Sequence, residues 1–460
     1  MTGPLPALTA TPSLTTTPSL TADRRRPPSL WIDLAYGSVG LAATLPWVIV
    51  DSWLLFFFLP PGEVGARVPV ALYGIPVAVA SLVNVILCPI VGHLSDQTRS
   101  RWGRRRPYLV AGALLLLATF GLLWRPPVAG LSVLNLLYLA LTLALYNVGY
   151  VLVEVPFIAF LPELARSDSH RVRLATILAA AQGLGILLAA LAGPLIQLLG
   201  YESMAWLYAA IALPFFVWPM PVLREYLRHQ MAPVDRPGFG AGLALTAHNR
   251  SFLLLVGAGL CAGLALAFTV LIMPFLVTEI CALGPADSAW FFGAAVVTSL
   301  VCYPAVTWLS QRLGKRRVFA GALGLSALAF PGLALISPRW PLPLLAQGLL
   351  WVVLESAVAA PVSVLPPAFI ADLTDDDARQ TGQRREGAFY SVWVLQNQLV
   401  AGVAAVVAPV VLLLGRSHLD PQGPLGVRVV GLICGGLCGL AYLLMRRYPA
   451  LADAARDHHG

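Results

Sequence analysis

Apolar runs long enough to cross a bilayer recur about twelve times in this 460-residue chain, and they restrict the fold more than anything else in it. They lie near 31–59, 69–92, 107–124, 131–160, 172–200, 203–222, 252–278, 287–310, 316–336, 341–370, 387–415 and 425–445. A hydrocarbon core of roughly 30 Å takes about 20 helical residues, and within it the backbone must satisfy its own N–H and C=O groups. Such runs fold as transmembrane helices, and the longer ones tilt or extend past the bilayer. Composition agrees: 58% of residues are hydrophobic and 11% charged, whereas a soluble domain carries about 25% charged. The predicted fold class is an all-α polytopic membrane protein of about twelve helices.

Charge placement orients these helices. The densest positive cluster follows the second run, as Gly92-His-Leu-Ser-Asp96-Gln-Thr-Arg99-Ser-Arg101-Trp-Gly103-Arg104-Arg105-Arg106-Pro107-Tyr108, and a weaker copy follows the eighth, at Leu309-Ser-Gln-Arg312-Leu-Gly314-Lys315-Arg316-Arg317. With the N-terminus placed inside, 25 of the 30 Lys and Arg fall on inner segments, as the positive-inside rule expects. This asymmetry accounts for the net charge of +8 and the pI near 9.4, and no nucleic-acid partner is expected. The repeated turn and the polar stretch 223–251 divide the chain into a disordered tail (1–28), a six-helix bundle (29–222), a linker (223–251), a second bundle (252–446) and a second tail (447–460). Two similar bundles around a central cavity are a transporter plan. The predicted location is a plasma membrane, the bacterial inner membrane, with both termini cytoplasmic. The six cysteines show no metal-ligand spacing and read as small helix-packing residues. There is no phosphate-binding lysine loop and no nucleophile elbow. Neither catalysis, a metal nor a cofactor is expected.

Several stretches resemble the major facilitator superfamily, and within it the glycoside–pentoside–hexuronide:cation symporters related to melibiose permease. They are Tyr36-Gly37-Ser-Val-Gly40, Thr98-Arg99-Ser-Arg101-Trp-Gly103, Glu154-Val-Pro156-Phe157 with Pro162 beyond, and Ala371-Asp372-Leu373 followed by Thr381-Gly-Gln-Arg384-Arg385-Glu386-Gly387. Ser95-Asp96 with Gly103-Arg-Arg-Arg-Pro107 also looks like sucrose transporters. The resemblance implies a sugar:cation symporter on the superfamily fold, with a small-molecule substrate. The sequence departs from the family where sodium-coupled members carry two helix-two aspartates. Asn84 and Cys88 stand there, so the expected coupling ion is a proton and not sodium. Thr44 and Ala179 stand where melibiose permease has a sugar-binding Asp and an Arg, and Glu154 keeps the helix-four acid.

A charged side chain at the middle of a membrane helix costs about 2.5–3.5 kcal/mol on insertion scales, so Glu154 and Glu355 are functional candidates. A carboxyl buried away from cations favours its neutral form, and one so poised can exchange a proton as water access changes sides. Asn147, Tyr150 and Glu154 share one helix face, and Gln347, Trp351 and Glu355 share another. Tyr390, Trp393 and Asn397 share a third, beside Gln396 and Gln398. Amides bond hydroxyls and rings stack on sugars, so this equipment suits a polyhydroxyl ligand. It suits interhelical hydrogen bonds equally well. Asn84 and Gln182 are further candidates. Gly92, Asp96, Arg99, Arg101, Gly103 and Arg104–Arg106, with Asp372, Arg384, Arg385 and Glu386, form a predicted conformational latch at the cytoplasmic ends; a topogenic charge cluster is the alternative. Asp33 fits that network too, and Asp51 lies near the outer end of helix one. The expected function is proton-coupled transport of a sugar or glycoside by a monomer in the lipid bilayer. An uncoupled facilitator, an exporter of amphipathic solutes and a non-transporting scaffold are the alternatives.

Overall fold

The computed structural model describes residues 30–61, 65–98, 100, 103–164, 168–222, 250–381, 386–412, 414 and 425–449. The predicted tail 1–28, most of the linker 223–251 and most of the tail 447–460 lie outside these residues. Every regular element among the described residues is helical. In chain order they are α1 (Leu30–Phe58), α2 (Gly74–Gln97), α3 (Arg106–Leu122), α4 (Val133–Ile158), the short α5 (Phe160–Leu164), α6 (Asp168–Ala189), α7 (Ala192–Val217), α8 (Arg250–Phe275), α9 (Ser288–Leu313), α10 (Lys315–Ala329), α11 (Leu344–Val364), α12 (Pro366–Thr381), α13 (Glu386–Leu412) and α14 (Leu425–Arg446). Ten helical spans are long and apolar enough to cross a membrane, and Arg106–Leu122 and Arg173–Ala189 are shorter apolar helices. Together they match the twelve spans read from the sequence.

One boundary is set by a glycine. Ala192–Val217 contains Gly200 at φ 79° and ψ 169°, a left-handed value that glycine adopts without a Cβ penalty. The Tyr208 hydroxyl donates to the Leu188 carbonyl at 2.7 Å. In one straight helix these residues would lie about 30 Å apart. The chain therefore reverses at Gly200: residues 192–199 extend α6, and 201–217 return beside it. Pro194 lacks the N–H that Ala190 O would accept, which explains the short interruption between α6 and α7.

Helices α2 and α4 each expose an apolar stripe on one face. On α4 it is Leu134, Leu137, Leu141 and Leu145, all exposed; at 100° per residue, Tyr146, Tyr150 and Glu154 fall on the opposite side. On α2 it is Ile75, Val79, Leu82, Ile86 and Ile90, with Asn84 and Cys88 turned away. The two basic turns share one geometry, Gly103 at φ 99° and Gly314 at φ 86°, each just before the helix that follows.

Helices α1–α7 and α8–α14 meet at the end opposite the basic turns. There Phe56 of α1 packs edge-on against Phe275 of α8, with centroids 5.0 Å apart. The backbone N–H of Ala286 donates to Gln197 Oε1 at 3.3 Å. Gly193 lies so close to the start of α9 that an added Cβ would sit 2.1 Å from Ser288 Oγ and 2.2 Å from Pro285 O. That approach leaves no room for any other residue.

Candidate functional site

The polar face of α4 gathers the groups that bear chemistry in the N-terminal half. Asn84 is buried on α2, and its Nδ2 donates to Asn147 Oδ1 at 3.3 Å. The Cys88 thiol, one turn on, donates to Asn84 Oδ1 at 3.2 Å. The Tyr150 hydroxyl and the Glu154 carboxyl, one turn apart on the same face, interact electrostatically. Glu154 also acts electrostatically on Cys88 and Tyr146. Asn84, Asn147, Tyr150 and Glu154 of the predicted set are thus brought together. Tyr146 was legible as the residue one turn before Tyr150, and Cys88 was read only as a missing carboxylate. Arg173, within sequence reach of Glu154, lies elsewhere: it pairs at 2.6 Å with Asp33, a fully buried carboxylate that His170 also meets at 2.9 Å. This ties α1 to α6 at the end that carries the basic turns.

The second predicted face, on α11, is differently employed. Gln347 Nε2 donates to Ser337 O at 3.0 Å and to Leu342 O at 2.8 Å, and its Oε1 accepts from Ser337 N at 3.0 Å. Trp351 Nε1 donates to Ala329 O at 3.0 Å. Both residues clamp the connection between α10 and α11. Glu355 is 5% exposed, and its Oε1 has no hydrogen-bond partner. It lies on the side of α11 that approaches Cys434 and Cys438 of α14. The α4 and α11 carboxyls thus have separate neighbours.

On α13, Trp393 and Gln396 pack over Gly259 of α8. With its amide oriented to satisfy both atoms, Gln396 donates to Val256 O at 3.1 Å and accepts from Leu260 N at 3.3 Å. Leu399, Val403 and Val410 form this helix's exposed apolar stripe. Asn397 is exposed on another side, which gives it solvent access without facing that stripe. Gln182 is exposed on α6, its stem against Gly40 of α1. The Tyr390 side chain lies outside what is described.

At the first basic turn, the Arg105 guanidinium donates to Ala159 O at 2.6 Å and lies over the Phe160 ring, 5.7 Å from its centroid. Arg105 and Arg106 are buried, and Arg104 is half-buried. Gly92 lies where an added Cβ would reach Val155 of α4 at 3.7 Å. At the second turn Lys315 Nζ donates to both Asp372 carboxylate oxygens at 2.8 Å. The first contact joins its basic turn to the end of α4, and the second joins its turn to α12, the helix that follows α11. Arg99, Arg101, Arg384, Arg385 and the side chains of Asp96 and Glu386 lie outside the described residues. Among the described residues no group of three or more His, Cys, Asp or Glu is placed to hold a metal.

The family described as "MFS/sugar transport protein" matches residues 35–449. An uncharacterised symporter of Synechocystis sp. is 25% identical over 80% of this chain and 82% of its own length. The isoprimeverose transporter of Lactiplantibacillus pentosus is 22% identical, over 92% and 91%. The crystal structure of the nucleoside transporter NupG superposes with a TM-score of 0.66 at 11% identity, covering 91% of this chain and all of that one; at that identity the likeness is one of fold.

Proposed function

The chain belongs to the MFS/sugar transport protein family and is a multi-pass membrane transporter, and from that premise we propose that it moves a sugar or glycoside, with a proton carried on Glu154. One observation carries this reading. Glu154 sits opposite the exposed apolar stripe of α4, on the face that also carries Tyr150 and, two turns away, the Asn84–Asn147 amide pair. A carboxyl that exchanges a proton shares a face with amides that can bond hydroxyls. The isoprimeverose transporter among the relatives supports a sugar-like substrate. Asn397 and Trp393 of α13 would complete the site from the other half.

We place the basic turns on the cytoplasmic side by the positive-inside rule, with both termini inside, and the bacterial relatives support a bacterial inner membrane. The halves are then joined on the outside, at Phe56–Phe275 and Gly193–Ser288, in the present conformation. Arg105 and Lys315 rest on their own halves in this state. In the outward-open state the basic turns would latch the cytoplasmic ends across the halves. Such differential contacts are what a two-state transporter needs. A protein purified as a monomer and reconstituted in proteoliposomes tests the reading. Isoprimeverose uptake should rise when an inward proton gradient is imposed, and E154Q should remove that rise while exchange across equal pH continues. Gradient-driven uptake by E154Q at the wild-type rate would rule Glu154 out. Uptake indifferent to any gradient would identify a facilitator.

A further inference from the structure

On the outer wall of the C-terminal half, α10 and α14 run antiparallel and meet through small residues. An added Cβ at Gly324 of α10 would stand 3.5 Å from Tyr442, and one at Gly439 of α14 would stand 3.9 Å from Ala327. Beside this seam each helix exposes a stripe. On α10 it runs through Arg317, Gly321 and Leu328, and on α14 through Leu440, Leu443 and, one residue past the helix, Arg447. A Cβ at Gly321 would meet nothing within 4 Å, so the wall is notched one turn from Arg317. Both stripes end at the same rim. There Arg316 Nη2 donates to Arg446 O at 2.6 Å, which holds the start of α10 to the end of α14. The Arg446 guanidinium lies over the Tyr442 ring, 5.9 Å from its centroid. Four guanidinium groups thus gather at the head of one apolar furrow. Among the described residues none of the four pairs with a carboxylate. The acids of neighbouring α12 lie on the inward side: Lys315 holds Asp372, and Phe369 packs edge-on against the buried Tyr448. At the first basic turn, by contrast, Arg105 and Arg106 are themselves buried. Depth is marked by Trp308, exposed near the end of α9 with the Arg312 guanidinium 4.2 Å above its ring, a pairing suited to the headgroup level.

We propose that this rim is a binding site for an anionic phospholipid. Its phosphodiester sits among Arg316, Arg317, Arg446 and Arg447, and one acyl chain lies along the α10–α14 furrow. Charge complementarity selects the occupant. Four cations without a carboxylate face the depth at which anionic headgroups lie, and basic pockets between membrane helices take such headgroups. A guanidinium meets phosphate oxygens two at a time. The furrow selects a lipid over a soluble anion, because a free phosphate would use the rim and leave the stripes and the Gly321 notch uncovered. A lipid seated there bridges two helices that otherwise touch through small residues and one arginine-to-carbonyl bond. The site is on the outer wall, so it holds whatever solute the transporter carries and whichever group carries a proton.

The probes are dioleoylphosphatidylglycerol and its zwitterionic counterpart dioleoylphosphatidylcholine. Each is titrated into the full-length protein in detergent, and bound lipid is counted by native mass spectrometry. Phosphatidylglycerol should bind more tightly than phosphatidylcholine. The exposed pair is the one to change, since Arg317 and Arg447 hold no other group in place among the described residues. R317Q/R447Q should weaken phosphatidylglycerol about 25-fold, roughly fivefold for each arginine near a headgroup, and leave phosphatidylcholine unchanged. R317K/R447K should keep most of the affinity. R24Q/R25Q removes the same charge from the N-terminal segment and should keep the preference. Gly321→Trp fills the notch without touching an arginine and should weaken phosphatidylglycerol severalfold at an unchanged unfolding temperature. Wild-type phosphatidylglycerol affinity in R317Q/R447Q overturns the site. An equal loss in R24Q/R25Q reduces the preference to net charge and overturns it too. Displacement of the lipid by equimolar inorganic phosphate would assign the rim to a soluble anion, and full affinity in Gly321→Trp would remove the furrow as the acyl path; either result overturns the lipid as occupant.

Discussion

On α4, Asn147 accepts from the Asn84 amide of α2 while its own amide donates to the Leu143 carbonyl one turn back, and Tyr150 and Glu154 interact with each other and with the α2 thiol electrostatically. On α11, Gln347, Trp351 and Glu355 follow at nearly the same spacing, yet the first bonds to backbone groups of the connection, the second to the last carbonyl of α10, and the Oε1 of the third is buried without a hydrogen-bond partner. The difference lies in what is within reach. A chain that turns back at 336–343 offers free carbonyls to α11, and an amide there becomes a clamp. No such connection crosses the middle of α4, so the Asn147 oxygen is met by a side chain of α2, a partner that can be exchanged. A polar residue in a membrane helix must be satisfied in either case. Only the kind of partner separates a structural role from a working one.

That contrast breaks most visibly at the carboxyls. E154Q should lower gradient-driven uptake at least tenfold, about 1.4 kcal/mol in barrier, and E355Q should change it by less than about twofold. Reversal of the two outcomes in proteoliposomes would assign the working face to α11. Stability should respond the other way. Gln347→Ala removes three backbone bonds and should cost about 1–3 kcal/mol, read as a lower unfolding temperature in detergent, with unchanged uptake per folded molecule. Asn147→Ala should cost only about 0.6 kcal/mol, the mean for an interhelical bond in a membrane, while raising the apparent KM for substrate severalfold. The smallest effect belongs to the ion pair outside both helices. Lys315→Gln should cost at most about 0.5 kcal/mol, since both side chains are about a third exposed, and the cost should fade in high salt.

Much of this was legible in the chain. The twelve spans, the two basic turns and the shared face of Asn147, Tyr150 and Glu154 follow from hydropathy, charge and helical period. The partners on α11 did not, because Gln347 bonds to Ser337 and Leu342, whose position depends on where α10 ends. Arg173 could have joined either Glu154 or Asp33 by sequence distance, and the packing of α6 on α1 chose Asp33. Period places a side chain on a face; it does not say which neighbour that face meets.

Lys315 carries the only side-chain amine in the chain, and both carboxylate oxygens of Asp372 hold it at 2.8 Å. Amine-selective acylating reagents therefore have a single side-chain amine to modify, and its labelling rate would report how often the α10–α12 contact opens. A carbodiimide, which joins a carboxylate to an amine with loss of water, would staple that junction as an amide of zero added length. The contact between the second basic turn and α12 can thus be addressed chemically through a native side chain, without adding a foreign residue.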